Sequence, residues 1–287
     1  MKIAVTGGSG RIGHWIIQDL IDHGYDVINL DQKEPEKSLC QTIITNLTDL
    51  GQVVGALFEA DAIIHMGSIP VAYSHPNEVV FQNNVMTTYN VLEAAYLLGI
   101  KKVVMASSEC LYGICFSKHK LSPTYVPIDE AHPQLPEDSY GLSKIVNEET
   151  AEMMCRRTDR QIIALRITNV ITPEIYQQFP NFIYDPSRRE NLLWSYIDVR
   201  DVASACRLSI EKSYLGFQAV NLAADETCMA IKSSELLATC YPTVTDIREP
   251  IDDYQSLLSN KKAKQLLGWE PQCNWREEVN KMKVKPF

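Results

Sequence analysis

Short, nearly continuous runs of Val, Ile and Leu alternate along the first part of the chain with longer stretches in which apolar residues recur at helical spacing. The runs predict strands at Lys2–Thr6, Tyr25–Leu30, Ala62–His65, Lys102–Ala106 and Ile162–Arg166. The longer stretches predict helices at Ile12–Asp22, Val85–Leu98 and Tyr140–Arg157. Strands that lack polar alternation are buried on both faces, as in a parallel sheet covered by helices. The expected fold class is α/β, a doubly wound parallel sheet.

Past Pro173 the period breaks down: Gln177 to Glu190 mixes Phe, Pro, Asn, Asp and Arg, which reads as a loop or lobe. Helical spacing returns at Val199–Lys212, Lys232–Cys240 and Ser256–Leu267, and no internal repeat is visible. We therefore expect a dinucleotide-binding domain over 1–172 to which the chain returns around 196–223. A smaller substrate lobe is expected from 173–195 and 224–287. A length of 287 residues suits one large unit with an appendage better than two independent domains.

Composition narrows the partners. A net charge of −9 and a pI near 5.2 disfavour nucleic acid and anionic membranes, which need clustered Lys and Arg. The one basic run, Lys281-Met-Lys-Val-Lys285, reads as a solvated end. Met1 leads straight into a strand with no long apolar stretch and cleavage site, and no segment reaches transmembrane length, so a cytoplasmic setting is expected. The eight cysteines form no C-x-x-C pair, Cys110 and Cys115 being nearest neighbours, and suggest neither a disulfide framework nor zinc. His65 reads as a packed strand-end residue.

Candidate chemistry begins at Gly7, Gly10 and Gly13, a G-x-x-G-x-x-G run between the first strand and the first helix. In that context glycine permits the turn, lets backbone approach a pyrophosphate and packs helix on strand, as in a Rossmann domain. Asp31, closing the second strand, suits both ribose hydroxyls and repels a 2′-phosphate, which favours NAD over NADP. Lys33 nearby works against that exclusion, and Asp31 could instead only begin a turn. Further on, Asp138-Ser-Tyr-Gly-Leu-Ser-Lys144 sets Tyr140 and Lys144 at i and i+4 on a helix, where the ammonium can favour a phenolate usable as a general base. Ser108 offers a hydroxyl partner.

With these residues in view the chain resembles the extended short-chain dehydrogenases/reductases, the NAD-dependent sugar epimerases, dehydratases and dehydrogenases. The resemblance rests on Thr6-Gly-Gly-Ser-Gly-Arg11-Ile12-Gly13, Asn84-Val85 and Ser107-Ser108-Glu-Cys-Leu-Tyr-Gly113, followed by Tyr140-Gly-Leu-Ser-Lys144, Leu165-Arg-Ile-Thr-Asn169 and Tyr196-Ile-Asp-Val-Arg-Asp201. It implies Tyr140 as base, Lys144 as the group that lowers its pKa and holds the nicotinamide ribose, and Ser108 as the hydroxyl orienting substrate. It further implies cofactor contacts from Gly7, Gly10, Arg11, Ile12, Gly13, Asp31, Asn46, Leu47 and Asn84. Substrate contacts are expected from Ser108, Glu109, Cys110, Asn169 and Arg166, with Arg166 equally open to a structural role. Family members commonly dimerise through two neighbouring helices, so a homodimer is expected, with Tyr89, Tyr96, Met153 and Met154 offered outward.

Departures from the family pattern shape the functional expectation. Cys110 replaces the second carboxylate of an Asp-Glu pair, which disfavours dehydration. The segment from Pro173 to Asp198 is too short for the usual nucleotide-diphosphate clamp, which points to a small sugar, sugar acid or polyol, with Arg188, Arg189 and Arg166 available to an anionic group. Asn46 stands for an adenine-side Asp. The leading expectation is an NAD-dependent oxidoreductase acting on a secondary carbinol or hemiacetal of such a sugar-like substrate. The alternative is an NAD-dependent sugar epimerase using the same residues, and a third reading is a non-catalytic NAD-bound regulator.

Overall fold

The computed structural model describes residues 1–283, so the end of the basic run at 281–285 lies outside the described residues. The elements in chain order are β1 (Lys2–Thr6), α1 (Arg11–Asp22), β2 (Asp26–Asp31), β3 (Gln41–Ile44), α2 (Leu50–Leu57), β4 (Ala62–His65), α3 (Asn77–Leu98), β5 (Lys102–Ser108), α4 (Ser139–Arg157) and β6 (Gln161–Ile167). They continue with β7 (Val170–Ile171), β8 (Ile197–Asp198), α5 (Val199–Glu211), β9 (Phe217–Leu222), α6 (Ser233–Cys240), α7 (Lys261–Leu267) and α8 (Trp275–Lys283). Seven strands make one parallel sheet in the order β3-β2-β1-β4-β5-β6-β9. The order reverses between β1 and β4, and the crossovers leave on opposite faces there. A crevice opens beyond the carboxyl ends of those strands.

Alternate strand residues serve two cores. Ile3, Val5, Ile64, Leu165 and Val220 pack under α1 and α5, whereas Ala4, Ile28, Ile63, Val103 and Ala164 pack under α2, α3 and α4. This explains the unbroken apolar runs: both faces are covered. A third core gathers Leu111, Tyr112, Val126 and Ile128 with Tyr176, Phe179, Trp194, Leu236, Leu257 and Trp275. It thus draws on the β5–α4 connection as well as on the later segments.

Some elements differ from the sequence reading. Strand β3 and helix α2 were not expected; β3 is a short edge strand with a half-exposed pattern, and α2 is only eight residues long. Helix α3 begins at Asn77, so Asn84 lies inside it and not at its start. Residues 256–260 are not helical: Leu257 and Leu258 are buried, and Ile128 bridges to Leu258. Met154 faces the core at 2% exposure, so it offers nothing outward. No helix among the described residues is long and apolar enough to cross a membrane.

The β1–α1 turn is set by backbone proximity. Gly7 has φ 72° and its N–H donates to Leu30 O at 2.8 Å. A Cβ on Gly13 would stand 2.3 Å from Gly7 O and 2.5 Å from Gly8 Cα, both fixed backbone. Gly13→Ala is therefore expected to push α1 off the turn and lower stability by roughly 2 kcal/mol, measured by urea denaturation.

Candidate active site

One cavity of about 760 Å³ fills the crevice. Its floor at one end is the glycine turn, with Gly7, Gly10, Arg11, Ile12 and Gly13, and Asp31 stands beside it. Asp31 is fixed by Ser9 N–H to Oδ2 at 3.0 Å and by Lys33 N–H to Oδ1 at 3.4 Å. Leu47 lines the same end, but Asn46 does not: it is exposed, and its Oδ1 accepts from Thr48 N and Oγ1. Helix α1 begins at Gly10 without a side-chain cap, leaving first-turn N–H groups facing the cavity end. Backbone with no room for a Cβ, open N–H donors and a fixed carboxylate together fit a dinucleotide.

The other end is built by β5 and α4. Ser108 ends β5, and its Oγ accepts from Cys110 N at 3.2 Å. Asp138 caps α4 by accepting from Gly141 N at 2.8 Å, which sets Tyr140 in the first turn and Lys144 one turn on. Lys144 Nζ donates to Ala106 O at 2.9 Å and lies 5.4 Å from the centroid of the Tyr140 ring. Tyr140, Lys144, Ser108, Glu109, Cys110 and Asn169 all line the cavity. Elements far apart in sequence thus bring the expected proton-transfer groups to the pocket that the glycine turn begins.

Burial dominates the electrostatics at this end. Burial pulls the Lys144 ammonium down to about 8, and burial together with the neighbouring Cys110 pushes the Tyr140 phenol well up, against a lowering hydrogen bond with Ser108. Glu109, in the cavity wall, is likewise pushed well up by burial, with a backbone hydrogen bond at Asn169 opposing the shift. His65 packs as expected, bonded to Thr6 Oγ1 and Thr88 Oγ1, and burial lowers it to about 3.

Two expected ligand contacts lie elsewhere. Asn84 is fully buried in α3, where its amide exchanges hydrogen bonds with Ile69 N and O at 2.8 and 2.9 Å; it pins the β4–α3 loop, and its neighbour Asn83 lines the cavity instead. Arg166 makes a bidentate pair with Glu148 at 3.0 and 2.7 Å and donates to Tyr112 OH and Glu130 O. Its donors are engaged by Glu148, Tyr112 and Glu130, so it is structural. Arg188 is exposed, and Arg189 stacks its guanidinium 4.5 Å over Phe182. Neither lines the cavity.

The sequence reading missed the wall formed by Ser68, Ile69, Pro70, Val71, Phe116 and Leu192. These residues sit in irregular connections where periodicity carries no signal.

Fold and site together define a dinucleotide-dependent enzyme with a serine, tyrosine and lysine at its reacting end. The chain matches the NAD dependent epimerase/dehydratase family over residues 3–223 and belongs to it, which makes it an NAD-dependent enzyme of the extended short-chain dehydrogenase/reductase group. It is 26% identical to a UDP-glucose 4-epimerase of Lacticaseibacillus casei, over 94% of this chain and 92% of that one. Among solved structures it resembles a UDP-galactose 4-epimerase at a TM-score of 0.70 and 26% identity, covering 98% and 97% of the two chains. It also shares its fold with an NAD-bound short-chain dehydrogenase/reductase superfamily protein of Agrobacterium tumefaciens, at a TM-score of 0.74, 21% identity and coverage of 98% and 95%.

Two outcomes follow from this geometry. The drop of Lys144 from 10.5 to about 8 corresponds to roughly 3 kcal/mol held against the fold by a buried charge. Because the folded value lies below the unfolded one, this cost is full below about pH 8 and fades as pH rises towards 10.5. Lys144→Met should therefore gain in thermal stability relative to the native chain at pH 7, and the difference should narrow by pH 10. Arg166→Met, by contrast, strands the Glu148 carboxylate and should lose roughly 3–5 kcal/mol in denaturant titration.

Proposed function

We propose that this protein is an NAD-dependent sugar epimerase in which Ser108, Tyr140 and Lys144 act at one carbinol centre. The carrying observation is their convergence on the cavity whose far end holds the glycine turn and Asp31. The full-length likeness to a UDP-glucose 4-epimerase supports inversion over net oxidation.

Gly7, Gly10, Arg11, Ile12, Gly13, Asp31 and Leu47 would hold the dinucleotide. When bound, the nicotinamide supplies reversible two-electron oxidation of the carbinol carbon. Ser108 Oγ holds the substrate oxygen, and the Tyr140 oxygen takes its proton and later returns it. Lys144, anchored on Ala106 O, offers its remaining N–H donors to the ribose and its charge to the phenol as that proton moves. Glu109, whose carboxyl burial pushes up, meets another substrate oxygen. Inversion needs the oxidised sugar to present its other face, and the apolar wall of Ile69, Val71, Phe116 and Leu192 holds a sugar without fixing its direction. In this reading the substrate lobe is formed by the segments after Pro173 with the Leu111–Ile128 connection, and two copies pair through α3 and α4.

A second reading, net oxidation of a small sugar, sugar acid or polyol, is favoured by the lining of the substrate end. Among the described residues Lys144 is the one cationic side chain there, while Arg11 and Lys33 lie at the nucleotide end. A nucleoside diphosphate would find little countercharge.

Incubation with NAD and a panel of free sugars, uronates, polyols and nucleotide sugars distinguishes the two. Epimer formation without accumulating NADH supports the first reading; stoichiometric NADH sinks it in favour of the second. Tyr140→Phe should lower turnover by about 10²–10⁴-fold while calorimetry shows NAD binding unchanged. Undiminished turnover in that variant would remove Tyr140 from the mechanism. Asp31→Ala should weaken NAD and admit NADP, read from the ratio of kcat/KM for the two.

A further inference from the structure

Cys110 and Cys115 belong to no motif of the proposed reaction, yet the fold brings them together beside its centre. After Ser108 the chain makes one 3-10 turn over Glu109–Tyr112 and reverses at Gly113, φ 88°, whose N–H donates to Cys110 O at 3.1 Å. Only glycine fits there, since a Cβ would collide with Leu135 O. The reversal brings Cys115 back into the buried cluster that holds Cys110. Both pack in one small apolar cluster with the Tyr140 ring, and Phe116, next to Cys115, meets that ring edge-on at 6.4 Å. Cys110 also lines the cavity, so a small solute entering it meets one sulfur directly.

We propose that Cys110 and Cys115 form an oxidation site at which a peroxide converts the dithiol to a disulfide and stops turnover at Tyr140. This rests on the place of Tyr140 in the proposed reaction. The Cys110 sulfur attacks the O–O bond of hydrogen peroxide, taking one OH as a sulfenic acid while the other oxygen leaves as hydroxide and takes up the thiol proton as water. The Cys115 sulfur then attacks the sulfenic sulfur: the S–S bond forms, the S–O bond breaks, and a second water carries off the thiol proton. Two thiols lose two electrons, and one peroxide gains them. The neighbouring Cys110 and burial push the Cys115 thiol well up, as suits the resolving thiol.

The link acts on the site through named contacts. Joining the sulfurs draws them inside their thiol contact distance and tightens the Gly113 turn. Cys110 N holds Ser108 Oγ at 3.2 Å, and Asn191 Nδ2 donates to Cys115 O at 2.9 Å, next to the wall residue Leu192. Oxidation therefore shifts both the orienting hydroxyl and the opposite wall. Ligands filling the cavity shield Cys110.

The test treats the reduced full chain with hydrogen peroxide, blocks free thiols with N-ethylmaleimide and maps peptides by mass. Expected are a Cys110–Cys115 cross-linked peptide, a fall in sugar turnover of at least about tenfold, and recovery with dithiothreitol. Cys115→Ser should keep the starting activity and form no link, and its peroxide damage should proceed to sulfinic acid that dithiothreitol does not reverse. Saturating NAD should slow linkage in the native chain. A native chain that loses turnover without forming this link, or forms it and stays active, overturns the proposal. The link is read by mass independently of turnover, so a protein that links but converts no sugar counts against the functional reading and not against the site.

Discussion

A lysine ammonium enclosed at the carboxyl end of β5 is the constraint around which the rest is arranged. Lys144 is 2% exposed, and Ala106 O accepts from it. Such a charge persists only if the surrounding elements are fixed well enough to keep its acceptor in place. The Asp138 cap sets the register of α4, the β5–β6 ladder sets Ala106, and the packing of α4 on α3 closes the remaining side. Desolvation then lowers the lysine and raises the tyrosine beside it.

A polar network behind the site keeps that geometry. Ser107 Oγ donates to Glu148, Glu148 pairs with Arg166, Arg166 donates to Tyr112 OH, and Tyr112 OH donates to Asn221 Oδ1. The chain of contacts links β5, α4, β6, the turn after Ser108 and β9. Every member is buried and partnered, which is the condition under which a polar core specifies one arrangement. It also explains an arginine so close to the reacting groups that is nonetheless unavailable to a substrate. On the other side of the cavity Asn84 does similar work with backbone, pinning Ile69 so that the β4–α3 loop forms part of the wall.

The substrate end differs in character from the cofactor end. Glycine backbone, open N–H groups and Asp31 give directional contacts at one side, while Ile69, Val71, Phe116 and Leu192 give non-directional ones at the other. A cofactor held rigidly and a sugar held loosely is the combination that hydride chemistry with inversion requires, since one partner must stay while the other turns. The two thiols beside Tyr140 lie at the seam between these regions, where a small covalent change reaches both the orienting serine and the wall.

Sequence alone determined five of the seven sheet strands and the candidate reacting groups, because both are local signals. Strands such as Lys2–Thr6 and Ile162–Arg166 announce burial on two faces, Gly7 to Gly13 announces a turn with no room for side chains, and Tyr140 with Lys144 shares a helix face by spacing. Short or half-exposed pieces such as β3, α2 and the first turns of α3 have too weak a period to be read. Tertiary structure alone decided which polar residues face the cavity: Arg166 and Asn84 were drawn into internal pairs, and Asn46 turned to its own loop. The same was true of Cys110 and Cys115, scattered residues by spacing that a single reversal at Gly113 sets in one buried cluster. Side-chain partners depend on where distant backbones come to rest, and no local pattern encodes that.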